Sequence, residues 1–121
     1  MINENFFTRK EMECPCCGAC HMDDDFMLTL NHARRLYGLA IHPNSGFRCD
    51  KHNKELGSTS TNHTSGKAID AWCTHPTKRF TLVKCFMLAG MTGIGIHDDY
   101  IHGDTNHDIP ALWSYQQKLI S

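Results

Sequence analysis

Two side chains near the middle of the chain have the types and spacing to hold a metal ion. His63 lies in a run of small polar residues, Thr61-Asn62-His63-Thr64-Ser65-Gly66, whose composition favours a turn. Asp70 follows in Ala68-Ile69-Asp70-Ala71-Trp72, an apolar run that reads as a short strand. A carboxylate inside such a strand is costly to bury unless a cation or several hydrogen bonds hold it. A neutral imidazole and a carboxylate brought together from a loop and a strand make half of a catalytic zinc site. Such a site takes three protein ligands and keeps one position open for water. Alone, the two residues fit equally well a carboxylate satisfied by backbone amides and a histidine on the surface.

From Thr61 to Asp70 the chain reads TxHxxGxAxD. This resembles SxHxxGxAxD, the signature of the zinc D-alanyl-D-alanine carboxypeptidases and related murein endopeptidases, whose fold Hedgehog shares. Thr61 keeps the hydroxyl of the usual serine. Ser45-Gly46-Phe47-Arg48, followed by His52-Asn53, is similar to the SGxR strand and short helix of that family. Gly93-Ile94-Gly95-Ile96 and Tyr100-Ile101-His102-Gly103-Asp104 are similar to its glycine-rich strand, turn and strand ending in His-x-Asp. The likeness runs over residues 6–115.

The resemblance implies a small α+β domain, an antiparallel sheet flanked by helices. Residues 1–121 would form a single zinc peptidase domain, with a Cys-rich segment, 1–22, packed on it. It implies His63, Asp70 and His102 as ligands of one catalytic Zn2+. Asp99, three residues before His102, stands where carboxypeptidases carry glutamate and would be the general base, with Asp98 as its substitute. Arg48 would point into the active site and stabilise the oxyanion that forms when water attacks an amide carbonyl. Asp104 would orient a ligating histidine from behind. Thr61, His97 and Tyr100 would contact substrate, the stem peptides of bacterial peptidoglycan. The arginine that often follows the last aspartate by two is replaced by Asn106, which bears on substrate contacts at that edge. Carboxypeptidase and endopeptidase action remain equally open. A catalytically silent zinc-binding module of the same fold is the alternative, and Asp99 in place of glutamate favours it.

Seven cysteines are many for a chain of 121 residues. Cys14, Cys16, Cys17 and Cys20 crowd together, which in a reducing compartment argues for metal or free thiols rather than disulfides. Closed tetrahedral zinc sites are usually built from two separated pairs, and no second CxxC stands apart from this cluster. His21 or a distant cysteine would have to complete the set, so a second, structural zinc is the less favoured reading. A zinc or redox element centred on this cluster, in a partner-binding protein, is a further alternative. Cys73 and Cys85 read as buried small hydrophobes.

The net charge of -1 and pI near 6.7 supply no electrostatic case for nucleic acid or an anionic membrane. The first residues lack the charged start and apolar core of a secretory signal. The expectation is a monomer made in the cytoplasm that acts on the cell wall if released, as a phage-type lytic enzyme would be.

The elements that must position these residues follow from pattern. Asp23-Asp24-Asp25 opens a helix with Phe26, Met27, Leu30, Ala33, Leu36 and Tyr37 at helical spacing, stopped by Gly38. Leu39-Ala40-Ile41 reads as a strand ended by a turn at His42-Pro43-Asn44. Pro76 starts another helix, with Phe80, Val83, Lys84, Met87 and Leu88 on one face and Gly90 or Gly93 at its end. His97-Asp98-Asp99 joins the last two predicted strands, and Leu112, Trp113 and Tyr115 are expected to cover the sheet. His21, His32, His42, His75 and His107 read as surface residues, and His52 and Asn53 as structural ones.

Overall fold

The structure, a computed structural model, describes residues 5–115. Phe7 and Met12 dock the N-terminal segment into the core. Between them lies a one-turn helix, α1 (Arg9–Met12), closed by a capping box. Thr8 Oγ1 accepts from the Glu11 amide, and Glu11 Oε1 accepts from the Thr8 amide. Helix α2 (Asp24–Tyr37) starts on Asp23, whose carboxylate accepts from the Phe26 amide, and stops at Gly38 with φ 76°. Its buried face is Phe26, Leu30, Ala33 and Asn31. Leu36, expected on that face, is exposed. Asn31 takes a core position because its amide is satisfied: Oδ1 accepts from the Phe6 amide and Nδ2 donates to the Met27 carbonyl.

Five strands form one sheet in the order β1-β2-β4-β3-β5: β1 His42–Ser45, β2 Ala68–Trp72, β3 Gly93–Ile96, β4 Tyr100–Asp104 and β5 Ala111–Ser114. The expected α+β class is observed, with two corrections to the sheet. The first strand is His42–Ser45 rather than Leu39–Ile41; it is an edge strand, where the missing N–H of Pro43 is tolerated. The sheet is mixed rather than wholly antiparallel, because β5 joins it parallel to β3. Trp113 therefore belongs to the sheet itself, and its ring lies over the neighbouring strands.

The Gly46-Phe47-Arg48-Cys49 segment is not a strand. It runs along α1, with the Phe47 amide donating to the Met12 carbonyl at 2.8 Å. A Cβ on Gly46 would stand 2.9 Å from the Met12 backbone, so no side chain fits that approach. The segment leads into α3 (Asp50–Glu55), where buried Asn53 ties the helix to the following loop through the carbonyls of Ser58 and Ser60. Helix α4 (Pro76–Ala89) packs on α2 and ends at Gly90. It buries Leu82, Cys85 and Phe86, whereas Phe80, Met87 and Leu88 of the expected face are exposed. The helix is apolar around most of its girth, so spacing alone does not choose its inner side. Together α2 and α4 cover Ile69, Ala71, Ile94 and Ile101 on one face of the sheet. The other face is left for polar groups. Among the described residues no helix is long and apolar enough to cross a membrane.

Candidate metal centre

Alternation along two neighbouring strands builds the site. Ile69, Ala71 and Ile101 turn toward the helices, so Asp70 of β2 and His102 of β4 turn to the opposite face, where they are direct partners across the ladder. His63 comes from the turn before β2. That turn is pressed against residues 21–23: the Asp23 amide donates to the Gly66 carbonyl, and a Cβ on Gly66 would lie 2.0 Å from the His21 carbonyl oxygen. Gly66 also has φ 74°, so the motif's glycine answers to both sterics and conformation.

Asp70 Oδ1 lies 3.3 Å from His63 Nε2 and 3.0 Å from His102 Nδ1. Ligands about 2.1 Å from a tetrahedral ion stand about 3.4 Å apart, so the spacing fits one. The hydrogen bonds behind these atoms decide what they present. His63 Nδ1 faces the Gly46 carbonyl at 2.8 Å, an acceptor only, so Nδ1 carries the proton and Nε2 offers a lone pair. His102 Nε2 faces Asp104 Oδ2 at 2.6 Å, which in the neutral ring leaves the Nδ1 lone pair pointing at Asp70. Three lone pairs then converge on one point, an arrangement that calls for a cation. The second oxygen of Asp70 accepts from Arg48 Nη2 at 3.0 Å, and Arg48 Nε donates to Ser45 Oγ.

All three groups are buried. Burial would raise Asp70, but hydrogen bonds from His102 and His63 hold it well below the usual carboxylate range. Burial would lower His102, but Asp104 and Asp70 raise it, so the ring holds a proton more readily than a free imidazole. Asp104 is held down against its burial by His102, His107 and the Asn106 amide.

The three groups open onto a cavity of about 660 Å³. Ser45, Asn44, Arg48 and His52 line it from β1 and the segment after it, and Tyr100, Trp113 and Tyr115 from the far strands. Trp113 leans on His102 with ring centroids 5.3 Å apart. It lies over Gly95, where a Cβ would come within 2.8 Å of the indole nitrogen. Burial pushes the Tyr100 phenol up to about 12, so it stays protonated at neutral pH and can donate.

The structure thus brings His63, Asp70, His102, Arg48 and Tyr100 together, with Asp104 behind His102. It does not bring Asp99. Arg79 donates to the carbonyls of Cys73, His97 and Asp98, and the Cys73 amide donates to the Asp99 carbonyl, which pins the β3–β4 turn. Asp99 is exposed there and does not line the cavity; positions 100 and 102 do. Asp98 is exposed in the same turn. His97 does not line the cavity either; it stacks flat on Tyr100 at 4.2 Å. Thr61 is exposed and accepts from Asn106 Nδ2, which also donates to Asn62 Oδ1. Asn106 therefore latches the His63 turn to the end of β4. In the cysteine cluster the fourth thiol is Cys49, and Cys20 packs against the core instead.

Sequence reasoning left open which distant cysteine joins the cluster, and it missed the Gly46 carbonyl, His107 behind Asp104, and the aromatic wall of Trp113 and Tyr115. The i, i+2 spacing of that last pair was the available signal, since it places both rings on one side of a strand. A family model described as Peptidase M15 matches residues 5–104, a span that contains His63, Asp70 and His102. No curated protein matches the chain.

Proposed function

The chain belongs to the Peptidase M15 family, and from that premise we propose that it hydrolyses a peptide bond in the stem peptides of bacterial peptidoglycan. His63, Asp70 and His102 would hold one zinc ion. The carrying observation is the convergence of three buried lone pairs, each fixed by a hydrogen bond on the far side of its group. Two imidazoles and a carboxylate are a donor set that suits zinc. When bound, such an ion lowers the pKa of a water to about 7 and polarises a carbonyl.

The protein's own groups would do the rest. Arg48 holds Asp70 with one nitrogen, and a guanidinium has five N–H donors, so others can meet the oxyanion or a substrate carboxylate. Tyr100 and Tyr115, both raised by burial, would donate to peptide carbonyls. With Asp99 outside the cavity, the imidazole of His52 is the base that the lining offers for the proton of the attacking water. The Trp113 ring beside His102 would exclude bulk water.

One observation favours a second reading, a binding module that holds zinc without hydrolysis. Among the described residues Asp70 is the sole carboxylate lining the cavity. Incubating the zinc-loaded protein with purified pentapeptide and cross-linked muropeptides, followed by mass spectrometry, separates the two. Loss of a terminal residue marks a carboxypeptidase, and opening of the cross-link an endopeptidase. Intact substrates in the presence of bound zinc would leave the binding module.

A further inference from the structure

A second group of ligand atoms lies outside the cavity chemistry. The residues after α1 form a tight turn, in which the Gly18 amide donates to the Cys14 carbonyl and the Cys14 amide to the Ala19 carbonyl. Gly18, with φ 73°, makes that turn possible. The turn directs Cys14, Cys16 and Cys17 at Cys49, the residue that caps α3. Cys14 Sγ is 3.6 Å from Cys16 Sγ and 3.7 Å from Cys49 Sγ, and Cys16 Sγ is 3.3 Å from Cys49 Sγ. All four ligand atoms lie within 4.8 Å of one another.

A disulfide joins only a pair, with its sulfurs about 2.05 Å apart. Four thiolates about 2.3 Å from one tetrahedral ion stand about 3.8 Å apart. The observed distances match the second arrangement, and Cys14 is nearly equidistant from two partners. Backbone N–H groups also point at the sulfurs: the Cys49 amide at Cys14 Sγ (3.5 Å) and the His52 amide at Cys49 Sγ (3.4 Å). Such donors stabilise thiolates that carry negative charge. The Arg9 guanidinium, donating to the Gly18 carbonyl, brings a positive charge to the same turn.

We propose that Cys14, Cys16, Cys17 and Cys49 bind a second, structural zinc ion, three ligands coming from the N-terminal turn and one from the start of α3. Each thiol gives its proton to solvent on binding, and the four sulfurs leave no open position for water. The ion ties the N-terminal segment to the residue next to Arg48. It therefore braces the 45–49 segment, which supplies the Gly46 carbonyl to His63 and the guanidinium to Asp70. Thiolate softness and the four-coordinate spacing select zinc over the oxygen-seeking cations.

The test needs no substrate. Full-length protein, purified with reductant and without chelator, should carry two equivalents of zinc by elemental analysis. Cys49→Ser and His63→Ala should each carry one, and Cys20→Ser two. Cobalt(II) exchanged into the protein should give intense sulfur-to-metal charge-transfer absorption that survives His63→Ala and disappears in Cys49→Ser. Should Cys49→Ser fail to fold, alkylation of the native wild-type protein decides. The exposed Cys16 and Cys17 should resist modification until a chelator is added. A single equivalent in wild type after incubation with excess zinc, no charge-transfer band, and chelator-independent alkylation would overturn the assignment. A Cys16–Cys49 disulfide in the reductant-purified protein would also overturn it.

Discussion

Asp104→Asn should reach the metal without touching it. The Asp104 side chain is fully buried, with Oδ2 2.6 Å from His102 Nε2 and Oδ1 accepting from the Asn106 amide (2.9 Å) and His107 Nδ1 (2.7 Å). Asparagine has nearly the same shape, so the fold should hold. The Asn106 amide can only donate, so it keeps the asparagine oxygen on its own side and turns the NH2 toward His102. A donor there forces His102 to carry its proton on Nδ1, the atom that faces Asp70. Removing a partner behind a metal ligand costs about 10–100-fold in affinity, or about 1.4–2.7 kcal/mol. Because this change also selects the wrong tautomer, the expected loss lies at or beyond the upper end of that range. Competition for zinc against a chromogenic chelator measures it. In the metal-free variant, NMR titration should show the His102 pKa lower than in wild type, since Asp104 is a principal cause of its elevation. Zinc affinity within threefold of wild type would refute the claim that Asp104 sets the tautomer.

His63→Ala, Asp70→Ala and His102→Ala should each remove the cavity zinc, whereas His32→Ala, on the exposed side of α2, should not; elemental analysis checks this. The metal-free protein should lose thermal stability on both sides of a mildly acidic optimum. His102, raised above its ordinary 6.5, stabilises fully below that value and loses its contribution as pH rises through the folded pKa. Asp70 and Asp104, lowered from 3.8, stabilise above that value and lose their contribution as pH falls through their folded pKa values. A melting temperature that does not change between pH 5 and 9 in the metal-free protein would contradict the His102 assignment. Asp99→Asn should leave turnover on muropeptides within a few-fold of wild type, while His52→Gln should lower kcat by about 10²–10⁴-fold with zinc content unchanged. The opposite pattern would return the role of base to Asp99.

The clustering of His63, Asp70 and His102 was legible because its logic is local in pattern and long-range only in pairing. His63, Gly66, Ala68 and Asp70 stand at fixed spacing, and His102-Gly103-Asp104 ends a strand whose alternation turns 102 and 104 to one side. The placement of Asp99 was not legible, since three residues before His102 is an odd offset on a strand. Only a departure from regular extension could return Asp99 to the face of His102, and Arg79 holds the turn otherwise. The inner face of α4 was hidden because apolar residues lie around most of its girth. Which distant cysteine completes the cluster was not legible, because the first three thiols are near neighbours in sequence and Cys49 lies 35 residues from Cys14. The parallel seat of β5 also escaped pattern, since four mostly exposed residues carry little alternation.

The pairing of Asp70 with His102 has a consequence for how the chain finds its fold. Strands β2 and β4 are buried along most of their length on both faces. One of those faces is apolar and the other carries Asp70, His102 and Asp104, so an alignment slipped by a single residue would exchange the two. A slip would turn His102 into the helix layer beside Phe86 and bring Ile101 round to the cavity, stranding a carboxylate without its imidazole. The polar groups thus act as a key for alignment between segments 32 residues apart in the chain. A molecule that zips its sheet in the wrong frame has no ion-binding pocket, so ion uptake during refolding counts the correctly threaded molecules.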